Sequence, residues 1–182
     1  IVVASEHNSA YSDDKDTQSG HLWGDGAGAI FISKEKSSDV DVEVLDLNTT
    51  ALAHIGKGVE GVYLRPGNGG LKMPYGRDIF VHASKYMVSE VMDILKKNDF
   101  TTEDIDYLIP HQANSRIIGN VTESLGLRNG QLIMNIEETG NTGCASTLVA
   151  FSQNWDRFRK DQLILLTVFG GGYSSGAMLL KK

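Results

Sequence analysis

The run Leu163-Ile164-Leu165-Leu166-Thr167-Val168-Phe169, followed by Gly170-Gly171-Gly172, decides the fold class. Its first seven residues carry no charge, which predicts a strand that is buried on both faces of a sheet. Three successive glycines weaken any regular element, so their presence indicates that something approaches the backbone closely where this strand ends. A strand buried on both faces is typical of α/β proteins, in which helices cover the sheet on both sides.

The segments on either side alternate between strand and helix patterns. Strands are predicted at residues 1–5, 30–32, 40–45, 107–110, 132–134, 163–169 and 176–180, and helices at residues 77–97, 112–125 and 145–159. Residues 24–29 predict a glycine-rich turn in which backbones approach closely, and residues 48–75 predict a long loop. The pattern therefore predicts an α/β layer architecture.

Composition excludes several classes of protein. The 182 residues carry 17 basic and 23 acidic side chains, a net charge of −6, which argues against nucleic acid as a partner. No apolar run is long enough to predict a membrane-spanning segment. A single cysteine, Cys144, cannot form an internal disulfide, so we expect a reducing, cytoplasmic location. Because the chain opens with the strand-like Ile1-Val2-Val3, we also expect it to be the later part of a longer polypeptide.

Three motifs lack the context that their chemistry requires. Gly172-Tyr173-Ser174-Ser175-Gly176 matches a hydrolase elbow, but a strand pattern follows it and no histidine lies downstream. Gly24-x-Gly26-x-x-Ala29 matches a dinucleotide fingerprint, but it precedes a strand pattern rather than a helix. The five histidines have no metal-ligand spacing, so no metal site is predicted.

His111 and Asn141 are the candidates for chemistry. His111 follows a buried strand and precedes a helix, at the kind of position where α/β proteins place their sites. Asn141 lies on a glycine-flanked turn before another helix. From position alone, a structural histidine and an asparagine that caps its helix are equally acceptable interpretations.

Four blocks together resemble the C-terminal half of β-ketoacyl-acyl-carrier-protein synthase III, a condensing enzyme of the thiolase superfamily. The blocks are Gly24–Ala29, Pro110-His111-Gln112-Ala113-Asn114, Gly140-Asn141-Thr142 with Ala145-Ser146, and Phe169-Gly170-Gly171-Gly172-Tyr173. The resemblance covers the chain except residues 48–72. It implies an α/β, thiolase-like fold in which residues 1–182 are the C-terminal half of a two-fold repeated, mixed-sheet layered architecture. Residues 1–20 would then be the tail end of the N-terminal half, and the rest of that half, with its nucleophilic cysteine, would be absent.

The resemblance implies an acyltransferase that starts fatty-acid synthesis. It would condense acyl-CoA with malonyl-acyl carrier protein in a decarboxylative Claisen reaction, with no cofactor beyond coenzyme A thioesters as substrates. Implied partners are acyl carrier protein, acyl-CoA, the chain's own N-terminal half and a second copy in a homodimer. This segment alone is expected to be inactive.

The resemblance also implies roles for individual residues. His111 and Asn141 would be two neutral donors to the enolate oxygen, Gly171 would contribute to the oxyanion hole, and Phe169 would pack beside the malonyl group. The other matching positions are Gly76, Phe80 and Asn114 along the pantetheine tunnel and Arg116 at the carrier-protein docking surface. Cys144 would be a small buried residue rather than the nucleophile.

Several positions depart from the family pattern. Arg77 stands where an asparagine is common, and three basic docking positions are replaced by Val81, Glu123 and Ser124. These departures leave two alternatives open. One is a synthase-III-like acyltransferase of secondary metabolism, and the other is a non-catalytic partner subunit of a condensing complex.

Overall fold

The computed structural model describes all residues from 1 to 182. The strands are β1 (Val2–His7), β2 (Asp25–Ile30), β3 (Glu43–Ala51), β4 (Tyr63–Arg65), β5 (Gly70–Lys72), β6 (Tyr107–Pro110), β7 (Leu163–Gly170) and β8 (Ser174–Lys181). The helices are α1 (Gly76–Lys97), α2 (Ser115–Ser124), α3 (Ile136–Thr139) and α4 (Ser146–Gln153). None of them combines the length and the apolar character that a membrane crossing requires.

The main sheet has four strands in the order β3-β8-β7-β6. Strand β6 runs parallel to β7, whereas β8 runs antiparallel to both of its neighbours, so the sheet is mixed. The strand predicted at residues 163–169 is confirmed as β7, which occupies an interior position. Its burial is confirmed only in part, since Ile164 and Leu165 are fully buried but Val168 is exposed. Residues 171–173 form the turn that joins β7 to β8.

Helices cover both faces of this sheet, as the α/β prediction requires. On one face α1 and α2 enclose the larger core, in which Met87 and Val91 are fully buried. On the other face Phe151 of α4 packs in a smaller core with Ile109 and Ile164. The α1 prediction was accurate because its apolar residues recur every three to four positions along 22 residues.

The glycine-rich run near the start is a strand rather than a turn. Strand β2 comprises residues 25–30 and pairs antiparallel with β1 in a separate ribbon. The predicted close approach is present, because a β-carbon on Gly28 would lie 2.9 Å from that of Leu148 in α4. The strand predicted at residues 30–32 was wrong in extent, since Phe31 and Ile32 lie beyond β2 and are exposed.

Three further predictions placed strand and loop incorrectly. The third strand begins at Glu43 and continues to Ala51, so residues 48–51 belong to it and not to the loop. The rest of that predicted loop contains a small antiparallel hairpin of β4 and β5. Residues 132–134 do not form a strand, because a single bridge between Leu132 and Leu108 joins them to β6.

Two helices are shorter than predicted. The helix predicted at 112–125 begins at Ser115, because the Asn114 side chain accepts a hydrogen bond from the Ile117 N–H at 2.9 Å and caps it. The helix predicted at 145–159 ends at Gln153, and a short 3₁₀ turn follows over residues 155–157. That residues 1–20 belong to a preceding half stays a prediction.

Candidate active site

His111 lies directly after β6, at the edge where the parallel strands β6 and β7 end. The backbone N–H of His111 donates to the carbonyl of Thr167 in β7 at 2.7 Å, which fixes the main chain at this point. The imidazole Nδ1 lies 2.8 Å from the Ser146 hydroxyl oxygen at the start of α4. Burial lowers the pKa of the His111 imidazole to about 4, while the negative charge of Glu6 acts in the opposite direction. The ring is therefore neutral at neutral pH.

Asn141 is held by its backbone and by one end of its side chain. Its N–H donates to the Leu22 carbonyl at 2.8 Å, and its own carbonyl accepts from the Gly24 N–H at 2.9 Å. The side-chain oxygen accepts from the Gly143 N–H at 3.0 Å. Because the oxygen end is occupied inside the turn, the amide nitrogen is the end that remains available to donate.

The interpretation of Asn141 as a helix cap is wrong. Its side-chain oxygen accepts from the Gly143 N–H two residues later, and neither the 3₁₀ turn over residues 143–145 nor α4 has a side-chain cap. Thr142, the other capping candidate, makes no side-chain cap, and its buried hydroxyl has no partner. The turn thus orients the Asn141 amide while leaving its donor end free.

The glycine turn and Phe169 lie at the neighbouring strand end. Phe169 is near the end of β7, and Gly171 is exposed in the turn that follows. The Phe169 ring is buried, with its centroid 4.9 Å from that of Tyr173. Since β6 and β7 are parallel neighbours, His111 and Gly171 both follow the carboxyl ends of adjacent strands.

A hydrogen bond between Tyr173 and Asp78 was not predicted from the sequence. The Tyr173 hydroxyl donates to the Asp78 carboxylate at 2.9 Å, and the Lys57 N–H donates to the same oxygen at 2.9 Å. Burial and the adjacent Asp78 raise the pKa of Tyr173, so the phenol stays protonated. This bond fastens the end of the glycine turn to the first turn of α1. In the sequence, only the tyrosine that directly follows three glycines could have pointed to this hydrogen bond.

The predicted tunnel and docking residues lie at the N-termini of α1 and α2. Gly76 is the first residue of α1, and Phe80 packs partly buried against the larger core one turn later. Gly76 and Arg77 help to line a cleft of about 610 Å³ at this end of the helix. Asn114 caps α2, which occupies its side-chain oxygen, and Arg116 is exposed in the first turn of α2. These positions are compatible with the implied roles, which stay predictions.

Cys144 is exposed, so the prediction that it is a small buried residue was wrong. The 3₁₀ turn over residues 143–145 directs it outward, and its N–H donates to the Glu6 carboxylate at 3.0 Å. Partial desolvation of the thiol, together with Glu6, raises the pKa of Cys144, which favours the protonated thiol over the thiolate. No group of three or more His, Cys, Asp or Glu side chains is close enough to hold a metal ion.

Comparison with known proteins identifies the family. The family model described as 3-oxoacyl-[acyl-carrier-protein (ACP)] synthase III C terminal matches residues 95–182. The model described as 3-oxoacyl-[acyl-carrier-protein (ACP)] synthase III matches residues 1–51. The β-ketoacyl-[acyl-carrier-protein] synthase III of Nitratidesulfovibrio vulgaris is 36% identical over 194 residues, which cover 100% of this chain and 58% of the relative.

Solved structures agree with these matches. The synthase III of Aquifex aeolicus superposes with a TM-score of 0.86 at 31% identity, over 100% of this chain and 57% of that protein. The Thermus thermophilus synthase III gives a TM-score of 0.88 at 30% identity, over 100% of this chain and 58% of that protein. The chain thus spans somewhat more than half the length of the relatives that it matches. It belongs to the 3-oxoacyl-[acyl-carrier-protein] synthase III family and has a thiolase-like fold.

Proposed function

We propose that this chain supplies the malonyl-decarboxylating side of a synthase III active site, with His111 and Asn141 as paired donors. The complete enzyme would join an acyl-CoA primer to malonyl-acyl carrier protein with loss of carbon dioxide. The reaction also needs a nucleophilic cysteine, which the resemblance assigns to the part of the relatives that this chain does not match.

The observation that carries the proposal is the orientation of two neutral donors. The Nδ1 atom of His111 is engaged by Ser146 at 2.8 Å, and the Asn141 side-chain oxygen is engaged by Gly143 at 3.0 Å. The Asn141 amide nitrogen therefore keeps its N–H groups available to donate, and a His111 ring that accepts from Ser146 at Nδ1 keeps its Nε2–H available. Loss of carbon dioxide from a malonyl thioester places negative charge on the thioester oxygen, and fixed neutral donors stabilise that enolate without losing a proton.

Neutrality of the histidine matters to this role. With a pKa of about 4, His111 donates its N–H as a neutral imidazole rather than as an imidazolium. A neutral imidazole is a weak acid, so it does not protonate the enolate before the enolate forms the new carbon–carbon bond. Removal of one such donor typically costs about 3–4 kcal/mol of activation free energy. We therefore expect the loss of either side chain to lower decarboxylation by roughly 10²–10³-fold.

A chimera tests the proposal. The part of the Nitratidesulfovibrio vulgaris relative that the match leaves uncovered is fused to the N-terminus of this chain. Acylation of the thiol by acetyl-CoA and release of carbon dioxide from malonyl-acyl carrier protein are then measured separately. His111→Ala should lower the second reaction by roughly 10²–10³-fold and spare the first. The matched control is His54→Ala, an exposed loop histidine that should change neither. Normal decarboxylation by His111→Ala would refute the assignment.

A second candidate function is favoured by the docking surface. Val81, Glu123 and Ser124 replace basic residues of the family pattern, and all three are exposed. Fewer positive charges weaken the steering of an acidic carrier protein. The alternative is a synthase-III-like acyltransferase that uses unusual acyl groups or a free coenzyme A thioester. The same chimera distinguishes the two: preference for acetyl-CoA with malonyl-acyl carrier protein supports the first function, and a preference for malonyl-CoA or longer primers supports the second.

A further inference from the structure

We propose that the Ser146 hydroxyl donates to Nδ1 of His111 and thereby holds the ring in the tautomer that carries its proton on Nε2. This inference deepens the proposed function and rests on it for its catalytic consequence. Ser146 would be a positioning residue, because it acts on the reacting atoms only through His111.

Two hydrogen bonds meet at the Ser146 hydroxyl oxygen. Its hydroxyl oxygen lies 2.8 Å from His111 Nδ1, and the Gln112 N–H donates to the same oxygen at 3.3 Å. A backbone N–H can only donate, so the Gln112 contact uses an acceptor position of the serine oxygen. The hydroxyl hydrogen has no acceptor in this set other than Nδ1. A donated O–H···N bond is therefore the arrangement that satisfies all three groups.

The opposite arrangement leaves a buried polar group without a partner. If Nδ1 carried the proton and donated to Ser146, the serine oxygen would accept twice and its own hydrogen would have nothing to bind. Ser146 is 2% exposed and Gln112 is fully buried, so solvent cannot easily compensate for that loss. Buried polar groups without a partner are costly and rare in native proteins.

Backbone hydrogen bonds on both sides of His111 fix the main chain from which the ring reaches Ser146. The His111 N–H donates to Thr167 in β7 at 2.7 Å, and the His111 carbonyl accepts from Ala113 at 2.8 Å. Ser146 is the first residue of α4, which packs in the smaller core. The nearest charged group acting on the ring is Glu6, and its carboxylate is engaged by the Cys144 N–H at 3.0 Å. The position of Ser146 relative to the ring is therefore set by rigid elements.

The consequence is a ring that presents Nε2–H on the side away from Ser146. With the hydroxyl removed, the ring keeps its place but loses the bond that distinguishes the two tautomers. A single hydrogen bond of ordinary strength corresponds to about a fivefold change in an equilibrium. We therefore expect Ser146→Ala to lower the ratio of the Nε2–H to the Nδ1–H tautomer about fivefold.

Nitrogen NMR of the imidazoles measures this ratio directly. Long-range ¹H–¹⁵N spectra of the 182-residue chain with labelled histidine are recorded at pH 7, and His111 is assigned by the signal that His111→Gln removes. The wild type should give the Nε2–H pattern. Ser146→Ala should give a mixed, averaged pattern, and Ser146→Thr, which restores a hydroxyl, should return it towards the wild type. Ser152→Ala is the control, because Ser152 is exposed on the same helix and should leave the pattern unchanged.

Each outcome decides the inference. An Nδ1–H pattern in the wild type overturns it, and so does a Ser146→Ala spectrum identical to that of the wild type. If Ser146→Ala does not fold, the tautomer patterns of the wild type and of Ser146→Thr still test the inference. The tautomer is read without catalysis, so an Nε2–H pattern in a chimera that cannot decarboxylate would refute the proposed function and leave this inference standing. In an active chimera, Ser146→Ala should lower kcat for decarboxylation with KM unchanged.

Discussion

The partly buried, neutral His111 makes the stability of the chain depend on pH in a definite window. The pKa of His111 falls from its ordinary value of 6.5 to about 4 in the folded chain, because burial penalises the charged ring. The unfolded chain therefore binds more protons than the folded chain between these two values. The free energy of unfolding must then decrease as the pH is lowered through this window.

The expected magnitude follows from the two pKa values. Between pH 7 and pH 5 the loss attributable to His111 is about 2 kcal/mol, obtained by integrating the difference in bound protons. Carboxylates and other histidines contribute their own pH dependence over the same range. His111→Gln removes the titrating ring but keeps a neutral polar side chain of similar reach, so the difference between wild type and variant isolates the His111 contribution.

Urea unfolding at pH 7 and pH 5 measures this contribution. We expect the wild type to lose about 2 kcal/mol more than His111→Gln on going from pH 7 to pH 5. NMR titration of the His111 ring should show the lowered pKa directly. Parallel losses in the two proteins, or a ring that titrates near 6.5, would show that His111 is not held in the neutral form.

Three further substitutions test the packing around the site, each by urea unfolding. Gly24→Ala should destabilise the chain by about 3 kcal/mol, because its new β-carbon would lie 1.9 Å from the Thr139 carbonyl oxygen. Gly119→Ala, in an exposed interior position of α2 with nothing within 4 Å, should instead stabilise it by about 0.5–1 kcal/mol. Tyr173→Phe removes the hydrogen bond to the Asp78 carboxylate and should cost about 1.5–3 kcal/mol. An unchanged unfolding midpoint for Gly24→Ala or Tyr173→Phe would contradict the corresponding contact.

Local pattern was enough to predict the elements whose burial is continuous along the chain. Strand β7 is apolar at almost every position, and α1 repeats its apolar face over 22 residues, so both were predicted within one or two residues. Residues 132–134 are too short for pattern alone to decide. Leu108 donates to Gln131 at 2.7 Å and accepts from Ile133 at 2.9 Å, which gives one bridge and no strand.

Contacts between distant parts of the chain explain the predictions that failed. Strand β2 could be taken for a turn because its glycines have a function only once Thr142 and Leu148 pack against them. The outward direction of Cys144 follows from a 3₁₀ turn in which the Cys144 N–H donates to the Glu6 carboxylate, 138 residues earlier. Likewise, no local pattern could reveal that Ser146 contacts His111 across 35 residues. The candidate donors were found by resemblance, but what orients them needed the three-dimensional fold.

The side-chain contacts of His111 and Asn141, the two proposed donors, converge on residues 141–146 of this chain. Ser146 engages His111 and Gly143 engages Asn141, while the backbone of Asn141 is tied to Leu22 and Gly24 beside the β1–β2 ribbon. A displacement of this segment would therefore move Asn141 and break the Ser146 contact with His111 at the same time. Two neutral donors stabilise an enolate only if both point at the same oxygen. A single segment that contacts both side chains suits that requirement. It follows that the segment leading into the ribbon helps to place Asn141, although it carries neither proposed donor.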